Sequence, residues 1–83
     1  MTEATSIDQV KTLPAGRYRH FKGKEYTVLG VARHTETGES MVVYQAEYGD
    51  RPLCVRPYEM FVEHVDKPEY GYQGPRFAKL EDR

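Results

Sequence analysis

Hydrophobic and polar residues alternate with a period of two along most of the chain from Gly16 onward, which is the pattern of half-buried β-strands. Short runs of Gly, Pro and polar residues interrupt this alternation roughly every eight to twelve residues, as turns between strands do. The pattern predicts five or six short antiparallel strands and no long amphipathic helix. The predicted strands are 16–21, 25–34, 40–48, 53–56 and 61–65, with 75–80 returning as a sixth strand at the sheet edge.

Two glycines are expected to shape the first pair of strands. The tripeptide Lys22-Gly23-Lys24 is typical of a tight turn in which the glycine adopts a positive φ. Gly30 lies in the middle of the second predicted strand, which is apolar on both faces there. We expect a bulge or bend at Gly30, because a small barrel needs strongly curved strands.

The third predicted strand is the most strand-like segment of the chain, since Met41-Val42-Val43-Tyr44 is rich in β-forming residues. We expect Val43 to point into the core. Pro57 ends the fourth strand, and Pro57–Met60 is expected to form a single 3₁₀ turn before the fifth. The polar stretch Asp66–Gly74 contains two glycines and a proline, so we expect it to be a loop.

These elements favour a mainly β protein, and specifically a small, partly open SH3-like barrel with a 3₁₀ turn before its fifth strand. A chain of 83 residues supports one hydrophobic core. We therefore expect a single β-barrel domain over residues 16–80, a flexible or briefly helical leader over residues 1–15 and a tail over residues 81–83. The helical alternative for the leader rests on the capping-box spacing of Ser6 and Gln9, which Pro14 and Gly16 cut short.

The formal net charge of the chain is −1, which argues against a dedicated DNA-binding protein. The charges are nevertheless segregated, with a basic run from Lys11 to Lys24 and an acidic run from Glu59 to Glu69. Two interpretations stay open: the runs lie side by side and neutralise each other, or the basic run forms a patch for a polyanion.

Cys54 is the only cysteine, so neither an intramolecular disulfide nor a pair of thiolate zinc ligands can form within one chain. This fits a reducing cytoplasm. No stretch approaches the roughly 18 apolar residues that span a bilayer, and the first residues show no signal-peptide pattern. We expect a cytoplasmic protein that does not act at a membrane.

Several separated motifs occur in order between Gly16 and Leu80. They are Gly16-x-Tyr18-x-His20-Phe21-Lys22-Gly23-x-x-Tyr26-x-Val28, Ala32-x-His34-Thr35-Glu36-Thr37, Val42-Val43-Tyr44, Val55-Arg56-Pro57-x-x-Met60-Phe61 and Pro75-Arg76-Phe77. In this combination the chain resembles the bacterial domain of unknown function 1653. The resemblance implies a small SH3-like β-barrel and implies no activity. The chain departs from the family pattern at Cys54, where relatives tend to carry an aromatic residue.

Arg56 is the most informative candidate for a ligand contact. Pro57 restricts its backbone to extended geometry, and a guanidinium can present two parallel donors to a carboxylate or phosphate. The alternative is a structural ion pair with Glu36, Glu59 or Glu63. Aromatic rings beside cations suit nucleobases, peptide prolines or small anions, although a protein without tryptophan also needs tyrosines in its core. We predict a ligand-binding face that comprises Tyr18, His20, Lys22, His34, Glu36, Tyr44 and Arg56.

Zinc accepts the residue types of His20, His34 and Glu36 as ligands, so a metal-dependent site formed by these three residues is an alternative. Cys54 with a histidine base could act as a nucleophile, but a free cysteine inside an apolar strand is commonly a small buried hydrophobe. No complete catalytic set appears in the chain. We therefore expect no catalytic residue, no bound metal and no cofactor.

Three hypotheses about function follow. The leading one is a non-enzymatic binding module for a segment of a partner protein or for single-stranded nucleic acid, acting as a monomer or weak homodimer. The second is a small metal-dependent enzyme or accessory protein that uses His20, His34 and Glu36. The third is a structural subunit whose edge strand pairs with a second copy of itself.

Overall fold

The computed structural model describes residues 11–80. Over this range seven short β-strands, one helical turn and one 3₁₀ turn follow one another. In chain order they are β1 (Gly16–His20), β2 (Glu25–Arg33), β3 (Ser40–Ala46), β4 (Leu53–Pro57), the helical turn α1 (Tyr58–Phe61), β5 (His64–Lys67), the 3₁₀ turn (Pro68–Tyr70), β6 (Tyr72–Pro75) and β7 (Phe77–Lys79). The protein is mainly β, as the alternating pattern predicts.

Five of the strands form one antiparallel sheet in the order β4-β3-β2-β1-β7. In the β1–β2 hairpin Gly23 adopts the predicted positive φ, 108°, and its amide donates to the carbonyl oxygen of His20 over 2.7 Å. The register of β2 against β3 shifts between Val28 and Gly30, which is the predicted bulge. β7 is the predicted edge strand, and it pairs with β1 through Phe77 and His20.

The strands β5 and β6 form a second antiparallel sheet, and within residues 11–80 the two sheets do not close into a barrel. The result is a partly open β fold, as predicted. β6 begins inside Asp66–Gly74, so the prediction that this stretch is a loop is wrong. Gly71 ends the 3₁₀ turn in the left-handed conformation, with φ 63°, and the chain then reverses to pair Tyr72–Pro75 with β5.

The segment before β5 also differs from its expected form. Tyr58–Phe61 is one turn of α-helix, closed by a hydrogen bond of 3.1 Å from the amide of Val62 to the carbonyl oxygen of Tyr58, and the 3₁₀ turn follows β5 instead. β5 begins at His64 rather than at Phe61, because Phe61 is the buried residue of the helical turn. No helix in the described part of the chain is long and apolar enough to cross a membrane.

The core consists of aromatic rings and valines between the large sheet and α1. Its buried members are Tyr18, Val28, Val42, Tyr44, Phe61 and Phe77. The rings of Phe61 and Phe77 stack with their centroids 4.0 Å apart. The rings of Tyr18 and Tyr44 both meet Phe61 edge-on, a favourable geometry for aromatic pairs.

In β3 the buried residues are Val42, Tyr44 and Ala46, so the expectation that Val43 points into the core is wrong. Successive residues of a strand point to opposite faces, and Met41 to Tyr44 are apolar or aromatic at every position. The pattern therefore could not distinguish the two faces of this strand.

Residues 11–15 carry no regular secondary structure, but they contact the domain. The hydroxyl of Tyr18 donates to the carbonyl oxygen of Pro14 over 2.8 Å, and the hydroxyl of Tyr58 donates to that of Thr12 over 3.2 Å. Leu13 packs against the core. The helical turn expected near residues 6–9 and the tail at 81–83 lie outside the described residues.

Candidate functional site

The candidate site is a cavity of about 320 Å³ formed by the β1–β2 turn, β4 and the elements of the second sheet. It is lined by His20, Phe21, Lys22, Arg56, Lys67, Glu69, Tyr70 and Arg76. Four of these residues are cationic and one is acidic, so we name this site the basic cavity.

Backbone pairing places His20 and Arg76 beside each other. His20 ends β1 and pairs with Phe77, while the amide of Phe21 donates to the carbonyl oxygen of Arg76 over 3.1 Å. The amide of Arg76 in turn donates to the carbonyl oxygen of Glu63 over 2.8 Å. Arg76 therefore lies where the two sheets meet.

The ring of His20 is held by two aromatic contacts and one hydrogen bond. It stacks on Phe21 with the centroids 4.4 Å apart, and it meets Phe77 edge-on at 4.9 Å. Its Nδ1 accepts a hydrogen bond of 3.1 Å from the amide of Lys22. The neutral ring consequently carries its proton on Nε2.

Burial and neighbouring charge both disfavour protonation of His20. Partial burial of the ring is the main cause that lowers its pKa, and the positive charges of Arg76, Arg56 and Lys22 lower it further. A neutral imidazole therefore lies among cations at pH 7.

Arg56 reaches the cavity without a carboxylate partner. Its Nε donates to the hydroxyl of Tyr44 over 3.3 Å, and its Cζ lies 5.5 Å from the ring centroid of Phe77. Among residues 11–80 no ion pair involves Arg56. The structural ion pair considered from the sequence does not form there.

Arg76 supplies a second guanidinium to the same cavity. Its Nη2 donates to Oε1 of Glu63 over 3.2 Å, while its Nε is buried and has no hydrogen-bond partner in the described part of the chain. A buried donor without a partner typically costs about 1–3 kcal/mol. The hydrogen-bonding capacity of Arg76 is thus only partly used within the protein.

Three of the seven predicted site residues line the basic cavity: His20, Lys22 and Arg56. Tyr44 is a core residue, 5% exposed, and its hydroxyl accepts a hydrogen bond from Arg56. Tyr18 is also buried, and its hydroxyl is directed to the chain before β1. Neither tyrosine offers a ring face to a ligand, because both rings are needed to fill the core of a protein without tryptophan.

His34 and Glu36 belong to a different part of the surface. They lie in the β2–β3 turn, where Nδ1 of His34 accepts hydrogen bonds from the amides of Glu36 and Thr37. His20 precedes the nine-residue strand β2 and His34 follows it, so the two histidines lie at opposite ends of that strand. Within residues 11–80 no three His, Cys, Asp or Glu side chains form a group that could hold a metal ion.

The sequence prediction missed the residues that the later part of the chain brings to the cavity. Lys67, Glu69 and Tyr70 come from β5 and the 3₁₀ turn, where the polar composition indicated a loop without further role. The motif Pro75-Arg76-Phe77 is the one signal in the sequence that points to Arg76.

The basic run of the sequence does not form a continuous positive patch. Arg17 and Arg19 both pair with Glu25 at 2.9 Å, and hydrogen bonds from Arg19 and Arg17 lower the pKa of this carboxyl. Lys11 pairs with Glu59 at 2.9 Å. The expected neutralisation between the basic and acidic runs thus occurs for Lys11, whereas the two arginines use a nearer carboxylate.

A second cavity, of about 210 Å³, lies beside α1. It is lined by Lys11, Arg33, Gly38, Glu39, Ser40, Tyr58 and Glu59. Its two cations are matched by two carboxylates, so its charge is balanced. The larger basic cavity is therefore the stronger candidate for a binding site.

The family model DUF1653, which describes a protein of unknown function, matches residues 16–79. The chain belongs to this family. The match confirms the resemblance carried by the sequence motifs, and the matched range contains every residue of the basic cavity.

A crystal structure of a DUF1653 protein from Bordetella bronchiseptica is similar to this chain, with 38% sequence identity and a TM-score of 0.75. The similarity covers 82% of this chain and 87% of that one. None of the curated proteins matches this chain. Family membership therefore supports the fold and leaves the function to be argued from the site.

Proposed function

We propose that this DUF1653 protein is a non-enzymatic binding module that holds a segment of a partner protein by an acidic group placed in the basic cavity. The observation that carries the proposal is Arg56, a partly buried guanidinium that lines the cavity without a carboxylate partner among the described residues. We place the module in the cytoplasm, which the presence of a single cysteine favours.

The charge of the basic cavity supports an anionic ligand group. Its cations are Lys22, Arg56, Lys67 and Arg76. Glu69 in the lining and Glu63, which pairs with Arg76, supply two negative charges, so four minus two leaves a balance of two positive charges. In a partly enclosed site such a charge attracts an anion more strongly than it does in bulk water.

The basic cavity has room for an acidic side chain or a chain terminus of a ligand. Its volume is about 320 Å³. A carboxylate on a short side chain fits this space and can accept two parallel hydrogen bonds from a guanidinium.

The charges outside the cavity favour a protein segment over single-stranded nucleic acid. A nucleic acid strand needs cations along the path of its phosphates. Arg17 and Arg19, which lie nearby in β1, are both engaged by Glu25, and Nζ of Lys24 lies 4.7 Å from the ring centroid of Tyr48. The net charge of −1 also opposes a polyanion, whereas a peptide with one or two acidic residues needs no such path.

A selection of random heptapeptides displayed on phage against the immobilised protein tests the proposal. We expect enrichment of peptides that contain Asp or Glu, with loss of this enrichment for Arg56→Ala. The matched control is Arg17→Ala, because it removes one positive charge outside the cavity and leaves Arg19 to pair with Glu25. Enrichment should persist for Arg17→Ala.

Fluorescence anisotropy with synthetic copies of the selected peptides measures the affinity in solution. Equal binding to the wild type and to Arg56→Ala, or enrichment without acidic residues, overturns the proposal.

A labelled oligouridylate tests for nucleic-acid binding in the same assay. If it made about three phosphate contacts, its affinity would fall on the order of tenfold for a threefold rise in salt. Tight oligouridylate binding with that salt dependence, lost in Arg56→Ala, would replace the peptide ligand by nucleic acid.

A further inference from the structure

We propose that the guanidinium groups of Arg56 and Arg76 together hold one oxyanion, a carboxylate or a phosphoryl group, beside the ring of His20. This inference rests on the proposed function, since the oxyanion is the acidic group of the bound protein segment. Arg76 thereby joins Arg56 as a ligand-binding residue of the basic cavity.

Each of the two guanidinium groups is held by one hydrogen bond and keeps N–H donors that the described part of the protein does not use. Arg56 is fixed through Nε by the hydroxyl of Tyr44, and its two terminal nitrogens have no partner among the described residues. Arg76 uses Nη2 for Glu63, whereas its Nη1 makes no hydrogen bond among the described residues and its side chain is 21% exposed. Guanidinium groups held in this way can direct N–H donors to an oxyanion with little further loss of side-chain freedom.

His20 shares the basic cavity with charged groups from each element that forms it. They are Lys22 of the β1–β2 turn, Arg56 of β4, Lys67 of β5, Glu69 of the 3₁₀ turn and Arg76 between β6 and β7. The positive charges of Arg76, Arg56 and Lys22 contribute to the lowered pKa of His20. An oxyanion among these cations offsets their charge, so its binding raises the pKa of His20.

The same coupling makes oxyanion binding tighter in mild acid. Because linkage is reciprocal, an anion that favours the protonated ring binds more strongly once the ring is protonated. Protonation at Nδ1 also removes the hydrogen bond that this atom accepts from the amide of Lys22. This cost limits the increase in oxyanion affinity between neutral and mildly acidic pH. We expect binding about threefold tighter at a pH near 5.5 than near 7.5, since tenfold corresponds to a full pKa unit.

The test is a pH titration of the three histidine side chains by two-dimensional NMR on the wild-type protein. The titration is run in chloride, in chloride plus N-acetylglycine as the carboxylate probe, and in chloride plus inorganic phosphate, all at equal ionic strength. We expect the carboxylate or the phosphate to raise the pKa of His20, while His34 and His64, which do not line the cavity, serve as internal controls. The probe that gives the larger rise identifies a carboxylate-bearing or a phosphorylated segment as the source.

The affinity comparison near pH 5.5 and 7.5 uses N-acetylglycine, because its carboxylate stays ionised at both values. Arg56→Lys and Arg76→Lys keep the positive charge but lose the fork of donors, so we expect each to weaken N-acetylglycine binding about fivefold or more. Arg17→Lys is the control outside the cavity and should bind as the wild type does.

We name the pair Arg56 and Arg76 the oxyanion clamp. A pKa of His20 that neither probe changes, or N-acetylglycine binding by both lysine variants as tight as that of the wild type, overturns the clamp. Peptide selection that depends on Arg56 while both small anions leave His20 unchanged also overturns it, without affecting the proposed binding module. Anion binding with the expected titration but no peptide enrichment supports the clamp and refutes the module.

Discussion

Arg56 shows how a charged residue can be held in place without being neutralised. A hydrogen bond to Tyr44 and the ring of Phe77 orient its side chain, while Pro57 keeps its backbone extended. Arg19, by contrast, is paired with Glu25 at 2.9 Å. An arginine that is oriented but has no carboxylate partner can exchange the water around its guanidinium for a ligand carboxylate.

The first prediction concerns the stability of Arg56→Ala. We expect the free energy of unfolding to change by less than about 1 kcal/mol. The lost hydrogen bond and ring contact together contribute about 1–2 kcal/mol, but the substitution also relieves repulsion from Lys22 and Arg76. Urea denaturation of the variant measures this difference. A loss of about 2 kcal/mol or more would make Arg56 part of the scaffold and remove it from the site.

The second prediction compares two glycines whose added Cβ atoms would meet no heavy atom within 4 Å. Gly23 has φ 108°, so Gly23→Ala should cost roughly 1 kcal/mol or more from backbone strain. Gly30 does not adopt a positive φ, so Gly30→Ala should leave the unfolding midpoint unchanged or raise it slightly. Thermal denaturation of the two variants side by side isolates the backbone effect. Equal midpoints would contradict the assignment of the turn.

At the scale of elements, β3 supplies the central wall of the core. Val42 is fully buried, and Tyr44 and Ala46 are 5% and 1% exposed, whereas Val43 lies on the outward face. The strand is thus half buried although its sequence is apolar on both sides, because only one face is covered by α1 and the rings of the core.

The third prediction follows from these two faces. Val42→Ala removes two buried methyl groups and leaves a cavity, so it should cost about 2–3 kcal/mol of stability. Val43→Ala makes the same chemical change on the outward face and should cost less than about 1 kcal/mol. Urea denaturation gives both values, and a larger loss for Val43→Ala would mean that the faces of β3 are reversed.

The second sheet is the element that completes the basic cavity. Two paired strands of four residues each are marginal alone, so β5 and β6 depend on their attachment to the rest of the domain. The hydrogen bond from the amide of Phe21 to the carbonyl oxygen of Arg76, and the ring contacts of Phe21 with Tyr70 and Tyr72, supply that attachment. The residue that we assign to the oxyanion clamp therefore also joins the two sheets.

At the scale of the whole molecule, partly exposed carboxylates connect stability to pH. Hydrogen bonds from Arg19 and Arg17 lower the pKa of Glu25, and a hydrogen bond from Thr27 is the main cause that lowers that of Glu47. A carboxyl with a lowered pKa in the folded state stabilises the fold above its unfolded pKa and loses this contribution as the pH falls through the folded value.

The fourth prediction is a decrease of the unfolding free energy as the pH falls below about 4.5, the range of an unperturbed glutamate. Glu25→Gln should reduce stability at neutral pH and make this acid dependence shallower. Glu36→Gln, which changes an exposed carboxylate in the β2–β3 turn, is the matched control and should follow the wild type. Denaturant melts at several pH values measure the slopes, and identical slopes for Glu25→Gln and the wild type would contradict the role of Glu25.

The sequence by itself determined the features that depend on neighbouring residues. The period of two predicts strands because side chains alternate across a sheet, and Gly23 marks the first turn because few other residues adopt its positive φ at low cost. Gly30 marks the bulge because a glycine inside a strand pattern often accompanies one. The edge strand β7 follows from the same alternation. These parts of the fold were therefore predictable without a structure.

Only the tertiary structure decided which residues meet in the basic cavity. His34 and Glu36 have suitable chemistry, but β2 separates them from His20, whereas Lys67 and Arg76 arrive from distant positions through the second sheet. Whether an arginine forms an ion pair was decided in the same way, because the strand register determines which carboxylates lie near it. Local pattern sets the conformation of a segment, but charge balance and cavity lining arise from contacts between segments.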